Sequence, residues 1–174
     1  MTDTIIPDSY ITTDTEFETY LTGDPRAAAI ALLAASSSVQ AWYLKRATKI
    51  IDGLPFKGQT YYDIGTGENE QERQFPRWID GQAYVETDSG DGAEVPQEVI
   101  DACCEEAIAL YAFYSDSDRT DRKTMKDDGV QNYNLGGVYS EALGKSHLDK
   151  HGLMSSEARR LLSGYLSGSV EMVF

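Results

Sequence analysis

The sequence predicts a mainly α fold: a small helical bundle with an irregular acidic excursion, an extended arm and a C-terminal helix. Three observations lead there. Apolar and small residues recur at helical spacing over residues 30–51 and 99–114. Prolines and small polar residues stand where helices would begin. Residues 54–94 hold Pro55, Gly58, Gly65, Gly67, Pro76, Gly81, Gly90 and Gly92, a density of breakers that no long helix survives.

Thr13, followed three residues later by Glu16, has the pattern of a capping box for a short helix carrying Phe17, Tyr20 and Leu21. Gly23 would end it. Asp24-Pro25 reads as an N-cap followed by proline at the first helical position, where the missing N–H costs nothing. From there Ile30, Ala34, Ser37, Ala41, Leu44, Thr48 and Ile51 lie along one stripe, widened by Leu33 and Ala47. Ser36, Ser37 and Ser38 lower helix propensity and bond back to their own backbone, so a bend or short break belongs there. Gly53, as a left-handed cap, and Pro55 should stop the helix.

Beyond the breaker-rich span, where Phe75-Pro76-Arg77-Trp78 could tuck two aromatics against the helices and Gln82 to Thr87 is a candidate strand, Pro96 opens the firmest core helix. Its stripe is Val99, Cys103, Ala107, Leu110 and Tyr114, with Ala102 and Phe113 beside it. Residues 115–145 form the expected arm, with Val138 and Tyr139 starting an extended piece. A last helix follows a serine cap at Ser155 or Ser156, uses Leu161, Leu162, Tyr165 and Leu166, and ends near Gly168. The tail 167–174 carries Val170, Met172, Val173 and Phe174 and wants a surface to dock on. The whole chain, 1–174, is expected to be one domain.

The formal charge is −14, and thirteen carboxylates between Asp63 and Glu106 face only Arg73 and Arg77. An acidic surface is expected there, and free nucleic acid is a poor partner for it. Cys103 and Cys104 are adjacent, so on a helix they point apart and cannot readily pair, which fits a reducing compartment. The apolar run Ala27 to Ala35 is far short of a bilayer span, and no membrane partner is expected.

His147 and His151 are four apart, yet no further cysteine or spaced carboxylate completes a ligand set, so no metal is assigned. Gly65-Thr66-Gly67 and Leu135-Gly136-Gly137 lack the glycine and lysine spacing of a phosphate loop and read as turns. No catalytic or cofactor residue is assigned, and the expectation is a non-catalytic subunit whose function lies in its interfaces. Arg119, Arg122, Lys123 and Lys126 alternate with Asp116, Asp118, Asp121, Asp127 and Asp128, which suits pairing across a subunit boundary.

Four stretches carry a likeness to known proteins: Asp8-Ser9-Tyr10-Ile11; Ala47 to Asp52 with Phe56-Lys57-Gly58; Gln74-Phe75-Pro76-Arg77-Trp78; and Val95 to Ala102. In that order they resemble the head-tail connector (adaptor, or head-completion) proteins of long-tailed double-stranded DNA bacteriophages, including the DnaT-like family, over most of residues 8–166. The resemblance implies a homo-oligomeric ring, commonly twelve-fold, in the virion neck after assembly in the host cytoplasm. Its partners would be the portal protein and tail or stopper proteins, with double-stranded DNA passing through without specific binding. It further implies that Arg119, Arg122, Lys123, Lys126, Tyr133, Leu135, Val138 and Tyr139 lie on an arm reaching a neighbour, and that Leu161, Leu162, Tyr165 and Phe174 meet the portal or an adjacent copy. The alternatives are a neck or tail-completion protein at another level, or a single-stranded DNA-binding module, which would want a basic groove with stacking aromatics.

Overall fold

The computed structural model describes residues 6, 8–11, 13–60, 73–79, 82–83, 95–117, 132–135, 139–142 and 152–167. Among them are five helices, α1 (Asp14–Leu21), α2 (Ala27–Leu33), α3 (Ser37–Asp52), α4 (Gln97–Ser115) and α5 (Ser156–Leu162). They also include short strands β1 (Gln59–Thr60), β2 (Arg77–Ile79), β3 (Gln82–Ala83), β4 (Asn132–Leu135) and β5 (Tyr139–Ala142). The expected mainly α bundle is what forms.

The cap of α1 is the expected one: Thr13 Oγ1 accepts from Glu16 N at 3.3 Å, satisfying one of the orphan donors of the first turn. Phe17 and Leu21, one turn apart, are buried, and Gly23 turns the chain at φ 87°. Asp24 does not cap α2 as expected. Its Oδ1 accepts from Arg26 N at 2.9 Å in a turn, and the helix begins two residues later than Pro25 predicts, at Ala27.

The serines break the long stripe. α2 ends at Leu33 and α3 begins at Ser37, and the Gln40 amide, 1% exposed, holds the break by donating to Leu32 O, Leu33 O and Ala35 O at 3.1 to 3.4 Å. Carbonyls that lose their helical partners are thereby satisfied from inside the protein. The break also resets the phase. Ala29 and Leu32 face the core from α2, whereas Ile30, predicted on the buried stripe, is 56% exposed. In α3 the stripe holds, with Leu44, Ala47, Thr48 and Ile51 buried.

Gly53 ends α3 at φ −77°, not in the left-handed region. Gly53 N and Leu54 N bond back three residues, to Ile50 O and Ile51 O. A side chain is unwelcome there for another reason, since a Cβ would sit 3.3 Å from Ile50 O.

α4 is the central element, packed against α5, α3 and α2. Pro96 is its N-cap. Val99, Ala102, Cys103, Ala107 and Leu110 are buried as the stripe predicts, but so are Cys104, Glu105, Glu106 and Ile108, because neighbours cover α4 on several sides. The expected acidic surface therefore does not include Glu105 and Glu106. Both cysteines are free.

The breaker-rich span folds back as an antiparallel sheet in the order β1-β2-β3, with Gln59 opposite Trp78 and Trp78 opposite Ala83. The expected strand from Gln82 to Thr87 is described at Gln82–Ala83. Inside the predicted arm, β4 and β5 form an antiparallel hairpin, pairing Tyr133 with Glu141 and Leu135 with Tyr139.

Ser155 caps α5, its Oγ accepting from Ala158 N at 3.1 Å. The helix stops at Leu162, earlier than expected. The chain past it turns over residues 163–165 and then bridges antiparallel to Phe56 at Leu166, with Lys57 N to Tyr165 O at 2.8 Å and Ser167 N to Pro55 O at 2.7 Å. Those backbone bonds, made outside the helix, draw Tyr165 and Leu166 into the core as a strand-like edge.

Candidate functional site

Three of the four stretches that carry the family likeness meet at one joint. The Tyr10 hydroxyl donates to Asp52, which also accepts from Gln74 N at 3.2 Å, so the entry segment, the end of α3 and the turn before β2 share one carboxylate. Tyr10 N donates to Thr48 Oγ1, and the Thr48 hydroxyl lies 3.2 Å from Cys103 Sγ, extending the joint to α4. Phe75 stands edge-on to Phe56, Tyr165 and Tyr10 at 4.8, 5.5 and 6.3 Å, an arrangement suited to ring quadrupoles. Arg77, buried, donates to Lys57 O, Gly58 O and Gln74 Oε1, and its guanidinium lies over Phe56. The Phe75-Pro76 peptide bond is cis.

Burial, and then the Asp52 carboxylate, raises the Tyr10 phenol far above its usual range, so it stays a donor. Replacing Tyr10 with Phe should therefore cost about 1–2 kcal/mol, mostly from Asp52 losing a buried donor, read as a lower urea midpoint with unchanged slope.

Two buried carboxylates hold α4 in place. Glu105 accepts from Arg26 at 2.6 Å through both oxygens and from the Tyr20 hydroxyl at 3.0 Å, tying α4 to α1 and to the entry of α2. Glu106 accepts from Met154 N and Ser155 N at 3.0 and 2.9 Å, fixing the start of α5. Burial pushes the Cys103 thiol up to about 11 and Cys104 well above its ordinary value, so both remain thiols. No group of three or more His, Cys, Asp or Glu able to hold a metal occurs among the described residues.

Among the described residues, an exposed aromatic and cationic set lies on α3 and the C-terminal half of α4. Contacts of Tyr43 with Tyr111 and of Thr48 with Cys103 show that the two helices run antiparallel. Trp42, 50% exposed, packs edge-on against Tyr43 at 4.7 Å and Tyr114 at 6.3 Å. The Arg46 guanidinium sits 5.4 Å from the Trp42 ring and 5.3 Å from the Tyr114 ring, and its Nη2 donates to the Tyr114 hydroxyl at 2.9 Å. Val39, one turn from Trp42, is 37% exposed, and Lys49 is exposed beyond Arg46. Lys45 reaches Asp8 at 3.9 Å. The result is an aromatic, cationic surface with its rings held edge to face and its guanidinium already oriented.

The residues predicted to form interfaces are placed as follows. Arg119, Arg122, Lys123, Lys126, Val138 and Phe174 lie outside the described residues, as do His147 and His151. Tyr133, Leu135 and Tyr139 belong to the β4–β5 hairpin. Leu161 is half-buried, while Leu162 and Tyr165 are enclosed in the chain's own core. The prediction missed Trp42, Arg46 and Tyr114 as a set. A signal was present: no carboxylate occurs between Asp24 and Asp52, and Trp42-Tyr43 stands beside Lys45-Arg46.

A family model described as "Putative DnaT-like ssDNA binding protein" matches residues 6–173. No curated protein matches, and no solved structure does.

Proposed function

Because the chain belongs to the DnaT-like family, we propose that it acts by binding, as a structural head-tail adaptor subunit with no turnover of its own. The observation that carries this reading is the Trp42–Arg46–Tyr114 surface. Tryptophan, tyrosine and arginine are the residues that dominate binding energy at protein interfaces, and here they are clustered, braced and half-exposed over a closed core. The sequence likeness to neck proteins supplies the setting, with portal and tail or stopper proteins as partners. The charge of −14 suits a subunit beside which DNA must slide without sticking. The test is co-assembly with portal rings followed by mass measurement. Rings carrying this chain are the expected product, and its failure to associate under assembly conditions would reject the adaptor reading.

A second reading, single-stranded DNA binding, is favoured by the description of the family model and by the same surface. Bases stack on exposed aromatic rings, and Arg46 and Lys49 could meet the backbone phosphates. Its weakness is the field of the remaining carboxylates, which opposes a polyanion. A titration of Trp fluorescence with an oligothymidylate at several salt concentrations separates the two. Low-micromolar, salt-dependent quenching that vanishes in Trp42→Ala would favour DNA. In either case Trp42→Ala should leave folding stability within about 1 kcal/mol of the parent, since the ring is half-exposed.

A further inference from the structure

We propose that the Trp42–Arg46–Tyr114 face is the docking site for the acidic end of a second copy of this chain, an inference that rests on the assembly reading above. The large hydrophobic side chains exposed among the described residues are Ile30, Val39 and Trp42, all on α2 and α3. Their segment, between Asp24 and Asp52, contains Arg26, Lys45, Arg46 and Lys49 and not one carboxylate, within a chain of net charge −14. Arg26 is held by Asp24 and Glu105, which leaves the other three cations to this face. Such a face is complementary to the rest of its own molecule.

The opposite character is found on α1, where Glu16 and Glu18 are exposed, and at the start of α4, where Glu98 is exposed and Asp101 half-exposed. Along α4 the step from Asp101 to Tyr114 is about 20 Å at the helical rise, so the cationic and acidic surfaces lie well apart on one copy. Two unlike, complementary surfaces on one subunit make a head-to-tail contact, and head-to-tail contacts close into rings when the rotation allows. The aromatic cluster supplies the desolvated centre, and the charges set orientation and partner choice.

The experiment is sedimentation equilibrium of the full chain over a wide range of protein and salt concentration. Association that strengthens with protein and weakens with salt is expected. Arg46→Glu should raise the dissociation constant about tenfold or more, as should the double variant Glu18→Lys with Glu98→Lys, while circular dichroism shows both folded. Mixing the two variant chains should restore association between unlike copies, a result that a merely misfolded variant would not produce. A chain that stays monomeric into the hundreds of micromolar, association indifferent to Arg46→Glu, or no restoration on mixing would each overturn the proposal. So would oligothymidylate binding at Trp42, which would assign the face to nucleic acid. Portal binding measured on the same variants keeps the two levels apart. Portal binding without self-association sinks only this inference, and self-association without portal binding sinks only the adaptor reading.

Discussion

Phe75→Ala is expected to lower folding stability by about 3–5 kcal/mol, the range for removing a fully buried aromatic ring. Phe75 is 2% exposed and contacts the rings of Phe56, Tyr165 and Tyr10, which arrive from three separate parts of the chain. The cavity left by its removal borders backbone bonds between residues 55–57 and 165–167 and the Asp52 hydrogen bonds, so the surroundings cannot collapse without breaking polar pairs. Against a total of roughly 5–15 kcal/mol for a domain, such a loss removes a large share of the margin and lowers the unfolding midpoint accordingly. Urea unfolding followed by circular dichroism measures it, with Phe75→Leu as the milder companion. A loss below about 1 kcal/mol for the alanine variant would show that the joint is not a stability centre.

Glu106→Ala should cost a comparable amount, about 3–4 kcal/mol, by a different route. The Glu106 side chain is fully buried, and its carboxylate receives the backbone N–H groups of Met154 and Ser155 at the start of α5. Alanine would leave those donors buried and unpaired and would open a cavity beneath the helix. Glu106→Gln retains one acceptor oxygen and should lose less.

The two variants also carry a pH signature. Burial holds the Glu106 carboxyl above a glutamate's ordinary range, with the Met154 and Ser155 N–H groups opposing the shift. Between the unfolded value and the raised folded value the native state holds the additional proton. This group's contribution therefore grows as pH falls through that window and is constant above it. Asp24 has the opposite sign. Hydrogen bonds from Arg26 hold it below its ordinary range, so its contribution is present above the unfolded value and is lost as pH falls through the folded one. Urea midpoints of the parent and Glu106→Gln across the acidic range should diverge as pH falls through the Glu106 window. A constant difference would mean that Glu106 does not titrate within it.

Much of the architecture was legible from local chemistry. The caps at Thr13 and Ser155 and the proline start of α4 are decided within a few residues, by orphan backbone groups, and the break at Ser36 to Ser38 falls where helix propensity is low and is held by the Gln40 amide. The stripe on α4 was legible too, because burial at helical spacing leaves its mark on composition. The burial of Glu105 and Glu106 was not. A glutamate in a helix reads as solvated unless Arg26, Tyr20 and the Met154-Ser155 backbone are known to converge on it from outside the helix.

The candidate surface divides in the same way. The absence of carboxylates between Asp24 and Asp52 can be read directly from the chain, and so can the adjacency of Trp42-Tyr43 to Lys45-Arg46. That Arg46 reaches the rings of both Trp42 and Tyr114, and that Tyr165 and Leu162 are enclosed, depends on which helices pack together. Sequence by itself determined where α1, α4 and α5 begin and which face of α4 is apolar, since those follow from interactions a few residues long, whereas the start of α2, the buried face of α2 and the end of α5 did not follow the local pattern. Only the tertiary structure decided which polar groups are buried in pairs and which aromatics remain exposed, because both depend on neighbours tens of residues away in the chain.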